Sequence, residues 1–395
     1  MMNLKQENVK NFIDIIIDIN RKDNTMNNLL VGNGFLIQFG GRAYTNREIV
    51  LRTLINYERS DFPADVIVNT PIEAKSYFGF MFNEILSVLK NEYDGYCNCS
   101  AEREALAVFK EKYGKYKSLQ ISDIGFEDFY LIHDLICHKT GTGNPDQFYV
   151  RESLKMAFLH AIFNYGKIET VYKNFPKAVI ERLKTYDAIF TTNYDNNIEQ
   201  ATSEEIYHIH GSFYEKADVY KTESFRNQIS DCPIKDCFID EEYFYLYSTA
   251  ISFHCGEYKR MHFEEGRSAN IAVEKMAKAY DTDYAIRKDI DGWKNDSNKL
   301  VANLYEAIQI KRNNPNMSFS EPYHIDKFEN MNGHLDIIGL SPYNDFHIFE
   351  MINNSKLDSI TFYYFEESEC SIISNRLPNK NVEYISVKSL WEELK

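Results

Sequence analysis

A chain of 395 residues, 44% apolar and 26% charged, has the length and composition of a folded protein with one large core or two ordinary ones. Its formal charge of −15 and pI near 5.2 argue against a nucleic-acid-binding surface as the main function, because phosphate recognition needs clustered cations. No stretch reaches the roughly 20 apolar residues of a bilayer span, and the opening MMNLKQENVKNFIDIIIDIN, interrupted by Asp14 and Asp18, lacks a signal-peptide pattern, so a cytoplasmic protein is expected.

In chain order, Val9, Phe12, Ile13, Ile16 and Ile19 recur at helical spacing and predict an amphipathic helix over 5–20. NNLLVGNGF (27–35) reads as a buried strand feeding a glycine turn. Residues 71–180 carry mostly helical pattern, which predicts an insertion or a cap standing on a sheet. Strand signals return at 187–192 and 206–210. The stretch 214–330 is mixed and aromatic-rich, with helices near 268–280 and 297–312, and its run at 243–253 suits core or partner interface better than base stacking. The chain ends as strand 335–340, helix 344–354, strand 359–365, strand 382–387 and a short amphipathic SLWEEL. Strands alternating with helices predict an α/β, Rossmann-like, doubly wound parallel sheet carrying large, mainly helical insertions.

Seven scattered cysteines suit a reducing compartment. Cys97-x-Cys99, Cys232-x4-Cys237 and His254-Cys255 do not form the paired C-x2–4-C pattern of structural zinc, so no metal is expected. G-x-S-x-G, H-E-x-x-H and P-loop motifs are absent, and the acidic pairs Glu204-Glu205 and Glu241-Glu242 read as solvated faces.

Several predicted strand ends carry small or polar residues. Gly32-Asn33-Gly34 would let backbone approach a pyrophosphate at a helix N-terminus, although the third glycine of G-x-G-x-x-G is missing and a glycine turn without ligand explains it equally. Thr191-Thr192-Asn193-Tyr194-Asp195 sits where parallel sheets bind ligands, yet Asn193 and Asp195 also suit the cap of a following helix. His208 and His210 share a face if 206–210 is a strand, and Gly211 permits an abrupt turn after them; a histidine satisfied in the core is the alternative. Gly339-Leu340-Ser341 repeats the strand-then-turn pattern, with Asp345 opening a helix. Their agreement outweighs any single motif.

In this order the motifs resemble those of sirtuins and sirtuin-like NADases, above all the effectors of bacterial anti-phage systems of the Thoeris, defence-associated sirtuin and KongMing types; the abortive-infection H family shares the GNGF opening. The resemblance covers roughly 27–55, 185–215 and 333–395. It implies a single sirtuin-like domain over 1–395, with its core at about 24–60, 181–215 and 331–395, a helical insertion over 61–180 and a second, mixed insertion over 216–330. Where sirtuin deacylases carry a Pro-Asp-Phe-Arg segment this chain reads IQFGGRAYTNRE, and in place of a four-cysteine zinc module it offers Cys232, Cys237 and Cys255. Both departures point from acyl-lysine substrates toward transfer of the ribosyl group to water.

By this resemblance the substrate is NAD+, cleaved to nicotinamide and ADP-ribose. Gly32, Asn33, Gly34 and Phe35 would hold its pyrophosphate, Asn193 would contact the nicotinamide ribose and orient water, Thr192 would lie beside it, and Asp195 would lie near the carboxamide. His210 would act as base, while Gly339, Ser341 and Asp345 would contact the adenosine half. An NADase that kills its host needs a gate, so a homo-oligomer, a partner defence subunit or a small nucleotide activator is expected, with no direct nucleic-acid or membrane contact. The alternatives are a non-catalytic NAD or ADP-ribose sensor subunit, a deacylase or ADP-ribosyltransferase using the same NAD chemistry, and an interaction subunit docking a partner enzyme through its aromatic insertion.

Overall fold

Leu29, Leu30 and Val31 form an unbroken apolar run, and a strand apolar on both faces belongs in the middle of a sheet covered on both sides. In the computed structural model, which describes residues 26–67, 71–229, 238–251, 256–317 and 323–395, with the side chains of 229 and 256–265 excepted, that run forms the central strand β1 (Asn27–Val31). The helix expected over 5–20 lies outside the described residues, as do Cys232, Cys237, His254 and Cys255.

Five further strands complete the sheet: β2 (Ala188–Thr191), β3 (Ile206–His208), β4 (Asn332–Ile338), β5 (Lys356–Tyr364) and β6 (Val382–Ser386). Their order is β3-β2-β1-β4-β5-β6 and every pairing is parallel. Leu30 lies opposite Phe190 on one side and Ile337 on the other. The chain therefore moves outward from β1 to β3 and returns across β1 to start again at β4. The order reverses between β1 and β4, and in such sheets ligands enter the crevice beyond the strand C-termini at that point.

Alternate side chains of each strand feed separate cores. Leu29, Val31, Ile189, Ile338 and Tyr363 join a large core on one face, and Leu30, Phe190, Ile337 and Phe362 join a second core on the other. Each fully buried side chain of this kind contributes roughly 1.5–3 kcal/mol of hydrophobic stabilisation, so a one-residue slip of register would forfeit both cores together. The fold is thus a doubly wound α/β sheet of Rossmann type.

Helices α1 (Asn33–Gly40) and α2 (Asn46–Asn56) follow β1 at once. Four long helices come next: α3 (Pro71–Leu89), α4 (Ser100–Tyr113), α5 (Asp128–Thr140) and α6 (Asp146–Phe163). Phe78, Phe129 and Phe158 from this insertion belong to the same core as Leu29 and Val31, so it packs on the sheet as expected. Helices α7 (Lys177–Leu183) and α8 (Asn197–Thr202) flank β2. The second insertion holds α9 (Gly256–Thr282), α10 (Tyr284–Gly292) and α11 (Lys299–Asn313), with small apolar clusters of its own around Val273, Ala277, Ile308 and Ala307. Tyr245 and Tyr247 of the aromatic run are buried in the first core. Helices α12 (Phe346–Asn354) and α13 (Ser368–Arg376) return to the sheet, and the terminal α14 (Val387–Glu393) lays Trp391 edge-on against Phe35 and Phe39. Among the described residues no helix is long and apolar enough to cross a membrane.

Candidate functional site

The glycines of the first motif have a steric purpose of their own. A Cβ on Gly32 would stand 2.4 Å from the Gly339 carbonyl oxygen, and one on Gly34 would stand 2.8 Å from the Gly339 Cα. Gly339 itself has φ +74°, and a Cβ there would meet the Phe35 nitrogen at 2.4 Å. The ends of β1 and β4 thus touch backbone to backbone. The Gly32 and Gly34 N–H groups donate to the carbonyls of Ile338 (2.9 Å) and Gly339 (2.8 Å), and Phe35 N–H donates to Gly32 O (3.0 Å). No extended glycine loop forms, because α1 begins at Asn33 with Gly32 as its N-cap. Phe35 is a core residue, edge-on to Phe39 and Phe175.

At the end of β2 the polar run is held by its own hydrogen bonds. Thr191 Oγ1 donates to Val31 O (3.1 Å) and accepts from Asn193 N–H (3.0 Å). Asn193 Nδ2 reaches back to Gly32 O at 3.4 Å, tying this strand end to the glycine junction. Asp195 is buried, and it takes the capping role expected of it. Its Oδ1 accepts from the N–H of Asn197 (3.0 Å), at the start of α8, and from the Asn197 side-chain amide. Its Oδ2 is buried and has no hydrogen-bond partner among the described residues. Burial raises the Asp195 carboxyl above the ordinary aspartate value.

The two histidines separate. β3 ends at His208, not at residue 210, so the shared face expected for them does not form. His208 is held by the Asn193 carbonyl on Nδ1 (2.8 Å) and by the Glu199 carboxylate on Nε2 (2.6 Å). Burial alone would lower this imidazole, but the Glu199 carboxylate outweighs it and leaves it above the ordinary histidine value. His208 therefore braces the backbone of Asn193. After Gly211, with φ +88° and a Cβ position only 2.4 Å from the Thr249 carbonyl oxygen, the chain turns away. His210 meets α12 instead: its Nε2 lies 3.0 Å from His347 Nε2, with the rings nearly parallel, and 3.8 Å from Asp345 Oδ1.

These groups open on a cavity of about 540 Å³ beside the switch point, a size usual for small-ligand sites of roughly 300–1,000 Å³. It brings together Asn33, Thr192, Asn193, Asp195, His210 and Asp345 of the expected residues. Gly32, Gly34, Phe35, Gly339 and Ser341 are not among its lining residues. The Ser341 hydroxyl instead accepts from Tyr343 N–H (3.3 Å) in a local turn. The lining carries seven carboxylates, Glu104, Glu127 and Glu350 among them, and a single lysine, Lys112.

The far wall of the cavity was not foreseen. It comes from α4 and the turn before α5, where Tyr113 accepts from Gly125 N–H (2.7 Å) and donates to Asp128 (2.5 Å). Nothing in the helical pattern of 100–131 marks those residues as lining. His347 was missed as well, although its spacing two residues after Asp345, at the opening of a helix, was a visible signal.

Compared with protein-family models, curated proteins and solved structures, the chain finds no match in any of the three.

Proposed function

We propose that the chain is a sirtuin-like NAD+ glycohydrolase, a gated effector of anti-phage abortive infection. The observation that carries this reading is the convergence of Asn193, Asp195 and His210 on one cavity at the switch point of a parallel sheet. Asn33 and Asp345, which follow β1 and β4, line the same cavity from distant parts of the sequence.

The chemistry suits the lining. Breaking the bond between ribose C1′ and the pyridinium nitrogen sends the bond pair to nicotinamide, which leaves neutral, while positive charge builds on the sugar. A cavity wall of seven carboxylates and one lysine favours both the pyridinium of the bound substrate and the oxocarbenium-like transition state. Water adds to C1′ and gives its proton to His210, so that NAD+ and water become nicotinamide, ADP-ribose and a proton. Asn193, fixed through Gly32 O and its own backbone, orients ribose and water without competing as a nucleophile. Asp195 Oδ2, buried and without a hydrogen-bond partner among the described residues, supports this reading as the acceptor for the carboxamide N–H of nicotinamide. The pyrophosphate belongs away from this acidic wall, toward the opening of α1 at Asn33.

Uncontrolled turnover would exhaust the cell's NAD+, so the activity carries a gate, supplied by self-assembly, a partner defence subunit or a small nucleotide. The test is chromatographic: purified protein is incubated with NAD+, with and without lysate of phage-infected cells, and nicotinamide and ADP-ribose are followed. His210→Ala is expected to lower kcat by about 10²–10⁴ and Asn193→Ala by about 10². Unchanged turnover in both variants would remove the site from the reaction. NAD+ that binds but is never cleaved would favour a sensor.

A further inference from the structure

The pair formed by His210 and His347 has a geometry that no step of the proposed hydrolysis requires. Two buried imidazoles, one from the turn after β3 and one from the first turn of α12, face each other Nε2 to Nε2 at 3.0 Å. Asp345, the residue before α12, brings a carboxylate oxygen to 3.8 Å from His210 Nε2, and donor atoms of all three residues lie within 4.8 Å of one another. Ligand nitrogens about 2.0–2.1 Å from one ion sit about 2.8–3.4 Å apart at right-angled to tetrahedral geometry. The imidazoles hold that separation through a hydrogen bond that an ion would replace, and the half-buried Asp345 carboxylate stands 3.8 Å from His210 Nε2.

From these positions we propose that His210, His347 and Asp345 form a binding site for a divalent first-row transition-metal ion of the zinc or iron class. Two neutral nitrogens and one carboxylate are the donor set such ions prefer over magnesium or calcium, which favour all-oxygen sites. Three protein ligands leave further coordination positions open, and here they open on the cavity. The surrounding carboxylates, in excess over the one lysine, hold the cavity at a potential that attracts cations. The site is argued from donor positions alone, and it bears on the nucleotide reading because the two share His210. Its consequence for that reading is exclusion: an ion that takes His210 Nε2 as ligand removes the nitrogen that accepts the proton.

The test uses the full chain, stripped with chelator and titrated with cobalt(II), following the visible d–d bands and, by calorimetry, the stoichiometry. One equivalent is expected to bind with nitrogen and oxygen ligation. His347→Ala and Asp345→Asn should each weaken it on the order of 100-fold or more, a loss at least as large as that seen when only a ligand's supporting partner is removed. His138→Ala, a half-buried histidine on α5 outside the cavity lining, should leave affinity unchanged. His347→Cys guards against misfolding, since a new thiolate-to-cobalt charge-transfer band would place position 347 in the coordination sphere. Absence of a one-equivalent complex in the wild type would overturn the proposal. So would unchanged affinity in folded His347→Ala and Asp345→Asn.

Discussion

Asp195 divides its carboxylate between fold and cavity. One oxygen opens α8 through Asn197, whose amide in turn holds the Ile168 carbonyl (2.9 Å) and whose oxygen accepts from Tyr172 N–H (2.8 Å). The other oxygen is buried without a hydrogen-bond partner among the described residues, which costs stability. Because burial raises its folded-state pKa, the native state holds this proton to higher pH than the unfolded chain does. Stability therefore falls as pH rises from the ordinary aspartate value through the raised one, and stays lower above it. Asp195→Asn keeps the acceptor for Asn197 and removes the buried charge. Thermal denaturation should give a higher Tm for the variant at neutral pH, with the gap closing in acid, while NAD+ affinity falls. A lower Tm at neutral pH would mean that the carboxylate is held by the fold rather than reserved for a ligand.

Among elements, the decisive contact is the crossing of the β1 and β4 ends. Three glycines meet there with their backbones, and Gly339 has both a positive φ and a neighbour that a methyl group would strike. Gly339→Ala must pay for the strained conformation and for displacing Phe35, whose ring anchors Phe39, Phe175 and Trp391. A loss upward of about 3 kcal/mol is expected, read as a shifted urea midpoint. The cavity should suffer with it, because Asn193 takes its position from Gly32 O. Gly141, with φ +71° and ψ 21° but open space around its Cβ position, provides the comparison: Gly141→Ala should cost only about 1–2 kcal/mol, the price of the left-handed backbone alone. Equal losses in the two variants would show that backbone conformation, and not the crossing, sets the requirement for glycine.

Over the whole molecule, the parts legible in the sequence are those whose physics is local. Apolar runs such as Leu29-Leu30-Val31 announce buried strands, and the polar residues that follow them mark the sheet edge where ligands bind. Thr192, Asn193, Asp195, His210 and Asp345 were readable for that reason, and they share the cavity. The uses of Gly32, Gly34 and Gly339 were not, since a glycine needed for a phosphate and one needed for a crossing strand look alike until β4 is placed beside β1. His208 and His210 were paired by assuming a strand through 210; the strand stops at 208 and the turn at Gly211 sends the rings to different partners. The cavity wall from α4 and α5 depends on how an insertion docks, information that no periodicity carries.

The proposed function requires that the nicotinamide ribose sit between Asn193 and His210. It is tested most directly by a crystal structure of the protein with a carbocyclic NAD+ analogue, in which a methylene replaces the ribosyl ring oxygen and the glycosidic bond survives. The sugar ring is expected within hydrogen-bond reach of the Asn193 side chain and the His210 imidazole, with the carboxamide N–H on Asp195 Oδ2. An analogue bound elsewhere, or bound with its phosphates against Glu104 and Glu127 and its nicotinamide outside the cavity, would contradict it.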